Sequence, residues 1–236
     1  MLTLEQKKKI QTAMSPYMQL DKYGRTTIRN VYLDTENYRL IRRSIEKPTY
    51  KEKLRIRSYS QATADSTVFV ELKKKYEGVV YKRRLPLCER DATSWVCRER
   101  ACPFDTQISR EIDYFIDFYG KLNPTVLLSY EREAYYDKGG GDFRVTFDDN
   151  ILCRRSEVNL CAPVYGEPIL QEGRVLMELK CSGGIPLWMV EVLSREHIYK
   201  TSFSKYGTAY TSLIFPESYL PNSMIHKEII TNGCNI

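Results

Sequence analysis

Charged and apolar residues alternate one by one through several short segments of this chain. In KEKLRIRSY, residues 51–59, Lys and Arg occupy every second position, and Leu54 and Ile56 fall between them. VFVELKKK, residues 68–75, repeats the layout, with Glu71 among the cations. Because successive side chains of a strand point to opposite faces, each segment predicts a strand with one charged and one apolar face.

The same layout returns along the chain. VVYKRRLPL follows Glu77-Gly78, a hairpin signal, and TVLLSYEREAYYD, FRVTFDDN and RVLMELKCS keep Arg132, Arg144 and Glu178 in phase. For one strand alone, a solvated face is the better interpretation. For many strands together, the pattern favours an antiparallel β-barrel whose charged face lines an aqueous bore. Like charges in such a bore repel one another, so the bore requires a polyanion and a divalent metal.

Helical periodicity appears between and around these strands. It predicts a short helix in LTLEQKKKIQTAMSPYM, two helices between Glu89 and Lys121, and two more over Trp188 to Arg195 and Ser204 to Leu213. The fold class is therefore α+β, a barrel with flanking helices. We expect one domain over residues 1–215 and a C-terminal tail over 216–236.

Composition narrows the class of protein. The formal net charge is +6, which names no partner by itself. The seven cysteines include no C-x-x-C pair, so neither a disulfide framework nor a zinc site is predicted. Strand alternation splits the run Lys73 to Lys75 across two faces, which argues against a nucleic-acid patch. No apolar run is long enough for a membrane span, so we expect a cytoplasmic protein.

The carboxylates on the charged faces need a role among so many cations. Glu178 lies mid-strand between Met177 and Leu179, so it should face the bore, and it is our first candidate for a ligand of Mg²⁺ or Mn²⁺. For Glu71, a cross-strand ion pair and a metal site are equally good interpretations.

Eight fragments, TIRNVYLD, KEKLRIRSY, FVELKKK, VVYKRRL, YEREAY, FRVTFD, VLMELK and FSKYG, resemble in order and spacing the VTC-type polyphosphate polymerase domain of the triphosphate tunnel metalloenzyme (CYTH-like) superfamily. The resemblance runs from about Thr26 to Leu213. It implies an ATP-dependent phosphotransferase that moves the γ-phosphate of ATP onto a growing polyphosphate chain, with Mn²⁺ or Mg²⁺ as cofactor. It implies Glu178 as metal ligand, with Lys180 as its neighbour. It implies, as catalytic residues that bind phosphate in the tunnel, Arg55, Arg57, Lys73, Lys82, Arg132 and Arg144, and it implies Lys205 and Lys200 as a basic pair of the C-terminal helix at one tunnel mouth.

The sequence departs from the family at its start. The family opens with a strand of alternating Glu and Lys before the first helix, whereas MLTLEQ already reads as that helix. The expectation is a triphosphate tunnel fold whose first strand is missing, which leaves an exposed sheet edge.

Two other functions stay open at this point. One is a triphosphatase or polyphosphatase of the same fold, and the other is a non-catalytic module that binds polyphosphate. The expected partners are ATP and inorganic polyphosphate, without nucleic acid. Contact with the inner face of a membrane would come only through an export partner that this chain does not encode.

Overall fold

The structure, a computed structural model, describes residues 1–218. The strands are β1 (Leu2–Thr3), β2 (Met18–Asp34), β3 (Tyr50–Ser58), β4 (Thr67–Tyr76), β5 (Val79–Cys88), β6 (Asn123–Asp137), β7 (Arg144–Arg154), β8 (Glu167–Pro168) and β9 (Arg174–Lys180). The helices are α1 (Leu4–Met14), α2 (Arg39–Ile45), α3 (Glu89–Val96), α4 (Gln107–Tyr119), α5 (Leu187–Arg195), α6 (Lys205–Ala209) and α7 (Phe215–Ser218), with a π-helical turn, Tyr210–Ile214, between the last two.

The strands form one antiparallel sheet in the order β1-β9-β7-β6-β2-β3-β4-β5, with β8 beside β7. The predicted α+β architecture is confirmed, but the sheet does not close into a hydrogen-bonded barrel, because β5 and β1 are its two ends. The structure also contains a short strand that the sequence did not predict: Leu2 and Thr3 pair with Val175 and Arg174 of β9 before α1 begins.

The hairpin between β4 and β5 forms where the sequence predicts it. Glu77 and Gly78 both have positive φ, 46° and 87°, as a two-residue type I′ turn requires. This turn sets Lys73 directly opposite Lys82 and Glu71 directly opposite Arg84. The turn therefore fixes which charged side chains meet.

The apolar faces of the strands pack under helices on the outside of the sheet. Leu54, Ile56 and Val70 lie in one buried cluster with Trp95 of α3 and Phe115 of α4. A second outer cluster joins α1 and α5 to the apolar residues of β7 and β9. The charged faces consequently lie on the opposite side of the sheet, and we call this side the trough.

The C-terminal helical segment closes part of the trough with apolar contacts. Tyr206 is buried in a cluster with Ile28, Tyr32 and Tyr130, and its ring stacks on that of Tyr32 at 4.8 Å. Its hydroxyl donates to Asp34 Oδ2 at 2.9 Å. This packing places the N-terminus of α6, and with it Lys205, over the charged face.

No helix of residues 1–218 is long and apolar enough to cross a membrane. The cysteines of the same residues are free thiols. The division into a domain and a tail from residue 216 stays a prediction, because residues 219–236 lie outside the described part of the chain.

Candidate functional site

Strand pairing arranges the cations of β3, β4 and β5 in cross-strand rows. The arginine row is Arg55, Glu71 and Arg84; the lysine row is Lys53, Lys73 and Lys82; the mouth row is Lys51 and Lys75. Successive rows are two residues apart along each strand, so all three lie on the trough side. These three rows of charged side chains form one wall of the trough.

One buried carboxylate offsets part of the positive charge of the arginine row. Glu71 is 1% exposed, and its Oε2 lies 2.7 Å from Arg55 Nη2, while its Oε1 lies 2.8 Å from Lys82 Nζ and 3.2 Å from Arg84 Nε. Burial favours the neutral acid, but the charges of Arg55 and Arg57 outweigh it and lower the pKa of Glu71 to about 2. Of the two interpretations of Glu71, the structure contains the ion pair.

The lysine row contains no carboxylate, and only Lys82 reaches one, Glu71 of the neighbouring row. Like charges directly opposite each other destabilise a strand pair. Burial, together with Lys51, Lys73 and Arg55, lowers the pKa of Lys53 to about 8. Burial and Arg55 also lower the pKa of Lys73. This wall is therefore electrostatically strained in the absence of an anion.

The other wall of the trough comes from β6, β7 and α6. Arg132 donates to both carboxylate oxygens of Asp148, from Nε at 2.6 Å and from Nη2 at 2.7 Å. Lys205 Nζ donates to Asp148 Oδ2 at 2.6 Å and lies 4.4 Å from the centre of the Tyr130 ring. Asp148 is 1% exposed, so this cluster is fixed in place before any ligand binds.

Glu178 of β9 is less tightly bound within the protein than Glu71 and Asp148, the buried carboxylates of the trough. It is 48% exposed, and its nearest cations are Lys180 Nζ at 3.5 Å and Arg132 Nη2 at 4.0 Å. Its charge opposes the lowering of the pKa of Lys73 on β4. Glu178 and Lys73 therefore lie close enough for their charges to interact across the trough, although β5 and β9 share no hydrogen bonds.

Glu178 alone could bind a divalent metal only if the substrate supplied further oxygen ligands. No group of three or more His, Cys, Asp or Glu residues is placed to hold an ion within residues 1–218. Mg²⁺ usually binds through one or two carboxylates together with substrate phosphates. Glu178 is suited to that shared coordination and not to a cage made of protein ligands alone.

Most of the predicted site residues lie on the two walls of the trough, but Arg144 and Lys200 are exposed. Arg55, Arg57, Lys73 and Lys82 lie on one wall, and Arg132, Lys180 and Lys205 lie with Glu178 on the other. Arg144 is exposed and stands directly opposite Lys180 in the pairing of β7 with β9. Lys200 is exposed before α6 and makes no ion pair or hydrogen bond to another predicted site residue among the described residues.

Three residues that sequence reasoning left without a role belong to the trough. Lys53 was visible in the alternation of KEKLRIRSY but was not assigned to the site. Tyr32 accepts a hydrogen bond from Arg55 Nη1 at 3.0 Å. Burial opposes its ionisation, but Arg55 and Lys53 outweigh burial and lower the pKa of Tyr32 to about 8. Asp148 was in phase with Arg144, and only the fold shows that it binds Arg132 and Lys205.

An antiparallel sheet with two facing cationic walls, few carboxylates and a C-terminal helix over one end defines a tunnel-type protein built for anionic ligands. The model of the VTC domain matches residues 1–214, and the chain belongs to this family. Membership supports a polyphosphate-related function and a phosphotransferase type of enzyme.

Two solved structures were compared with this chain. A Bacillus halodurans protein described as a candidate adenylate cyclase is 14% identical, with a TM-score of 0.51 over 86% of this chain and 89% of that chain. The PH1819 protein of Pyrococcus horikoshii is 12% identical, with a TM-score of 0.38 over 89% of this chain and 94% of that chain. At such identities the first likeness shows the fold alone. No curated protein matches this chain.

Proposed function

We propose that the trough is the active site of a polyphosphate polymerase that uses ATP. The observation that carries this proposal is the lysine row, Lys53, Lys73 and Lys82, in which like charges stand directly opposite one another. Lys82 is paired with Glu71 of the neighbouring row, but Lys53 and Lys73 form no ion pair within residues 1–218. A chain of phosphates supplies the missing negative charge at regular intervals. A single compact anion would leave part of the wall without compensation.

The chemistry suits these residues. A terminal oxygen of the polyphosphate chain attacks the γ-phosphorus of ATP, the bond from that phosphorus to the β,γ-bridging oxygen breaks, and ADP leaves. Phosphoryl transfer requires chiefly positioning and charge neutralisation. Arg55, Arg57 and Arg132 keep guanidinium N–H groups beyond those already bonded within the protein. These remaining groups can donate to phosphate oxygens, and the lysines offer compact charges.

A divalent cation completes the proposal. Mn²⁺ or Mg²⁺ held by Glu178 and substrate phosphates would neutralise charge on the transferring group. The protein's own contribution is to hold donor and acceptor phosphates in line between the two walls. The membrane export partner stays a prediction, to which the described residues contribute no support.

The products distinguish the candidate functions. The protein is incubated with ATP and Mn²⁺ and followed by phosphorus NMR together with an assay for ADP. Polymer and ADP support the polymerase. Orthophosphate without polymer would contradict it and establish the hydrolase, while polyphosphate binding without ADP release would establish the binding module.

Glu178→Gln tests the metal assignment. The amide keeps the shape of the side chain but removes the charge that holds the cation, so metal-dependent turnover should fall by at least about 100-fold. Polyphosphate should still bind, because both cationic walls remain. The control is Glu172→Gln, an exposed carboxylate in the loop before β9. Unchanged turnover in Glu178→Gln would refute the assignment.

A further inference from the structure

The mouth row extends the cationic wall past the predicted site residues. Lys51 of β3 and Lys75 of β4 stand directly opposite each other, two residues beyond the lysine row. Lys51 Nζ donates to the backbone carbonyl of Ser44 in α2 at 3.2 Å. The row therefore lies at the end of the trough where α2 packs.

A third lysine adds to the charge at this end. Lys47 follows α2, and its charge acts on Lys51 together with that of Lys75: after burial, which is the largest cause, these two cations lower the pKa of Lys51. Lys47, Lys51 and Lys75 form no ion pair with any of residues 1–218. Three cations thus share one small region without a carboxylate to compensate them.

Lys74, the neighbouring lysine on the outer face of β4, has a carboxylate partner. Lys74, between Lys73 and Lys75, points to the outer side of β4 and lies 3.6 Å from Glu52 Oε1. A solvated face normally mixes both signs of charge. Lys74 is compensated on the outer face, whereas Lys51 and Lys75 of the mouth row are not, which indicates that this end of the trough is prepared for an anion from outside the protein.

We propose that Lys51 and Lys75, with Lys47, form a separate subsite that holds the phosphate chain beyond the reaction centre, at the α2 mouth of the trough. The ligand class is a linear inorganic polyphosphate longer than the segment that the arginine and lysine rows cover. The subsite rests on the proposed function, because it presumes that a phosphate chain lies along the trough. The subsite would bind the polyphosphate chain at this mouth as well. The affinity of the protein for polyphosphate should therefore depend on the length of the phosphate chain.

The test compares a short and a long ligand. Lys51→Gln/Lys75→Gln removes two charges of the subsite and leaves the arginine and lysine rows intact. Lys8→Gln/Lys22→Gln, at two exposed lysines outside the trough, is the control with the same change in net charge. Dissociation constants for tripolyphosphate and for a long polyphosphate chain are measured by calorimetry at one salt concentration, on all three proteins. Thermal unfolding without ligand shows that each variant is folded.

The expected result depends on length. Lys51→Gln/Lys75→Gln should bind long polyphosphate at least about tenfold more weakly than the control, as expected for lost charge-assisted contacts, and should bind tripolyphosphate as the control does. Its unfolding midpoint should stay the same or rise, because a like-charge pair is removed.

Two results would overturn the subsite while leaving the proposed function in place. One is an equal loss for both ligands, which would assign these lysines to the reaction centre, and the other is no loss for the long chain. If the unaltered protein binds neither ligand, the proposed function and the subsite fail together.

Discussion

Glu71 determines whether the arginine row is stable before a ligand arrives. Its two oxygens lie among four cations, Arg55, Arg57, Lys82 and Arg84, while the carboxylate itself is buried. Removing one partner from a buried ion pair is costly because the opposite charge remains buried and unpaired.

We predict that Glu71→Gln lowers the free energy of unfolding at pH 7 by roughly 3 kcal/mol. The folded-state pKa of Glu71 is lowered to about 2, against about 4.3 in an unfolded chain. The carboxylate therefore stabilises the fold fully above pH of about 4.3, and this contribution is lost as the pH falls towards about 2.

Urea unfolding at a series of pH values measures the difference between Glu71→Gln and the unaltered protein. That difference should shrink with acid over this window. Glu99→Gln, at an exposed carboxylate, is the control. If the two variants unfold alike at pH 7, Glu71 does not have the role described.

We predict that Lys53 makes the binding of a phosphate chain depend on pH. Its folded-state pKa is lowered to about 8, against about 10.4 unfolded. Since the unfolded state binds more protons between these values, Lys53 contributes a stability that rises with pH from about 8 to about 10.4. Binding should follow the opposite course, because deprotonation removes a cation from the lysine row.

The measurement is tripolyphosphate affinity from pH 7 to 9.5 in the unaltered protein and in Lys53→Gln. Ligand ionisation is common to both proteins and cancels in the comparison. We expect the affinity of the unaltered protein to fall more steeply with pH than that of Lys53→Gln. Parallel curves would show that Lys53 does not titrate in this range.

Among the secondary-structure elements, the strands in which charged and apolar residues alternate regularly were predicted correctly. β3, β4 and β5 follow from charge every second residue, and the turn at Glu77-Gly78 joins the last two as predicted. The helices between β5 and β6 follow from periodicity and end before Gly120. These segments are predictable because local sequence and tertiary environment agree.

The first residues of β2 could not be predicted as a strand from alternation. MQLDKYGR has no clean alternation, Gly24 has a φ of 61°, and the pairing with β6 shifts register between Leu20 and Arg25. These residues are a strand because β6 pairs with them, and that partner lies far along the chain. β1 has only two residues and therefore no period.

The attachment of α6 gives a prediction at the same scale. Asp34 accepts hydrogen bonds from the backbone N–H groups of Leu40 and Ile41 and from the Tyr206 hydroxyl, so one buried carboxylate joins α2 and α6 to the sheet. Tyr206→Phe should cost about 1 kcal/mol of stability. It should also raise the KM for ATP, because the anchor of the helix that carries Lys205 is loosened.

Chemical denaturation and steady-state kinetics measure the two effects of Tyr206→Phe. Tyr199→Phe is the matched control, at a tyrosine that is 76% exposed. A loss of stability with an unchanged KM would show that the hydrogen bond supports the fold but does not position Lys205.

At the scale of the whole molecule, the sequence predicts which side chains share a face but not how far the sheet curls. Alternation assigns Lys73 and Glu178 to charged faces of distant strands, and only the fold shows that these faces meet. Closure by hydrogen bonds was expected in the barrel and is absent between β5 and β9. A period of two specifies the orientation of side chains, whereas closure depends on strand number and stagger, which no local pattern encodes.

The two facing walls predict that the whole fold is stabilised by its ligand. A ligand at 100 times its dissociation constant adds about 2.7 kcal/mol. For a domain of this size, each kcal/mol corresponds to a rise of roughly 2–4 °C in the unfolding midpoint. Saturating tripolyphosphate should therefore raise Tm by about 5–10 °C. Differential scanning fluorimetry measures the shift, with sodium chloride at matched ionic strength as the control for screening. An equal shift in sodium chloride would mean that the walls respond to ionic strength alone and that no phosphate chain binds specifically between them.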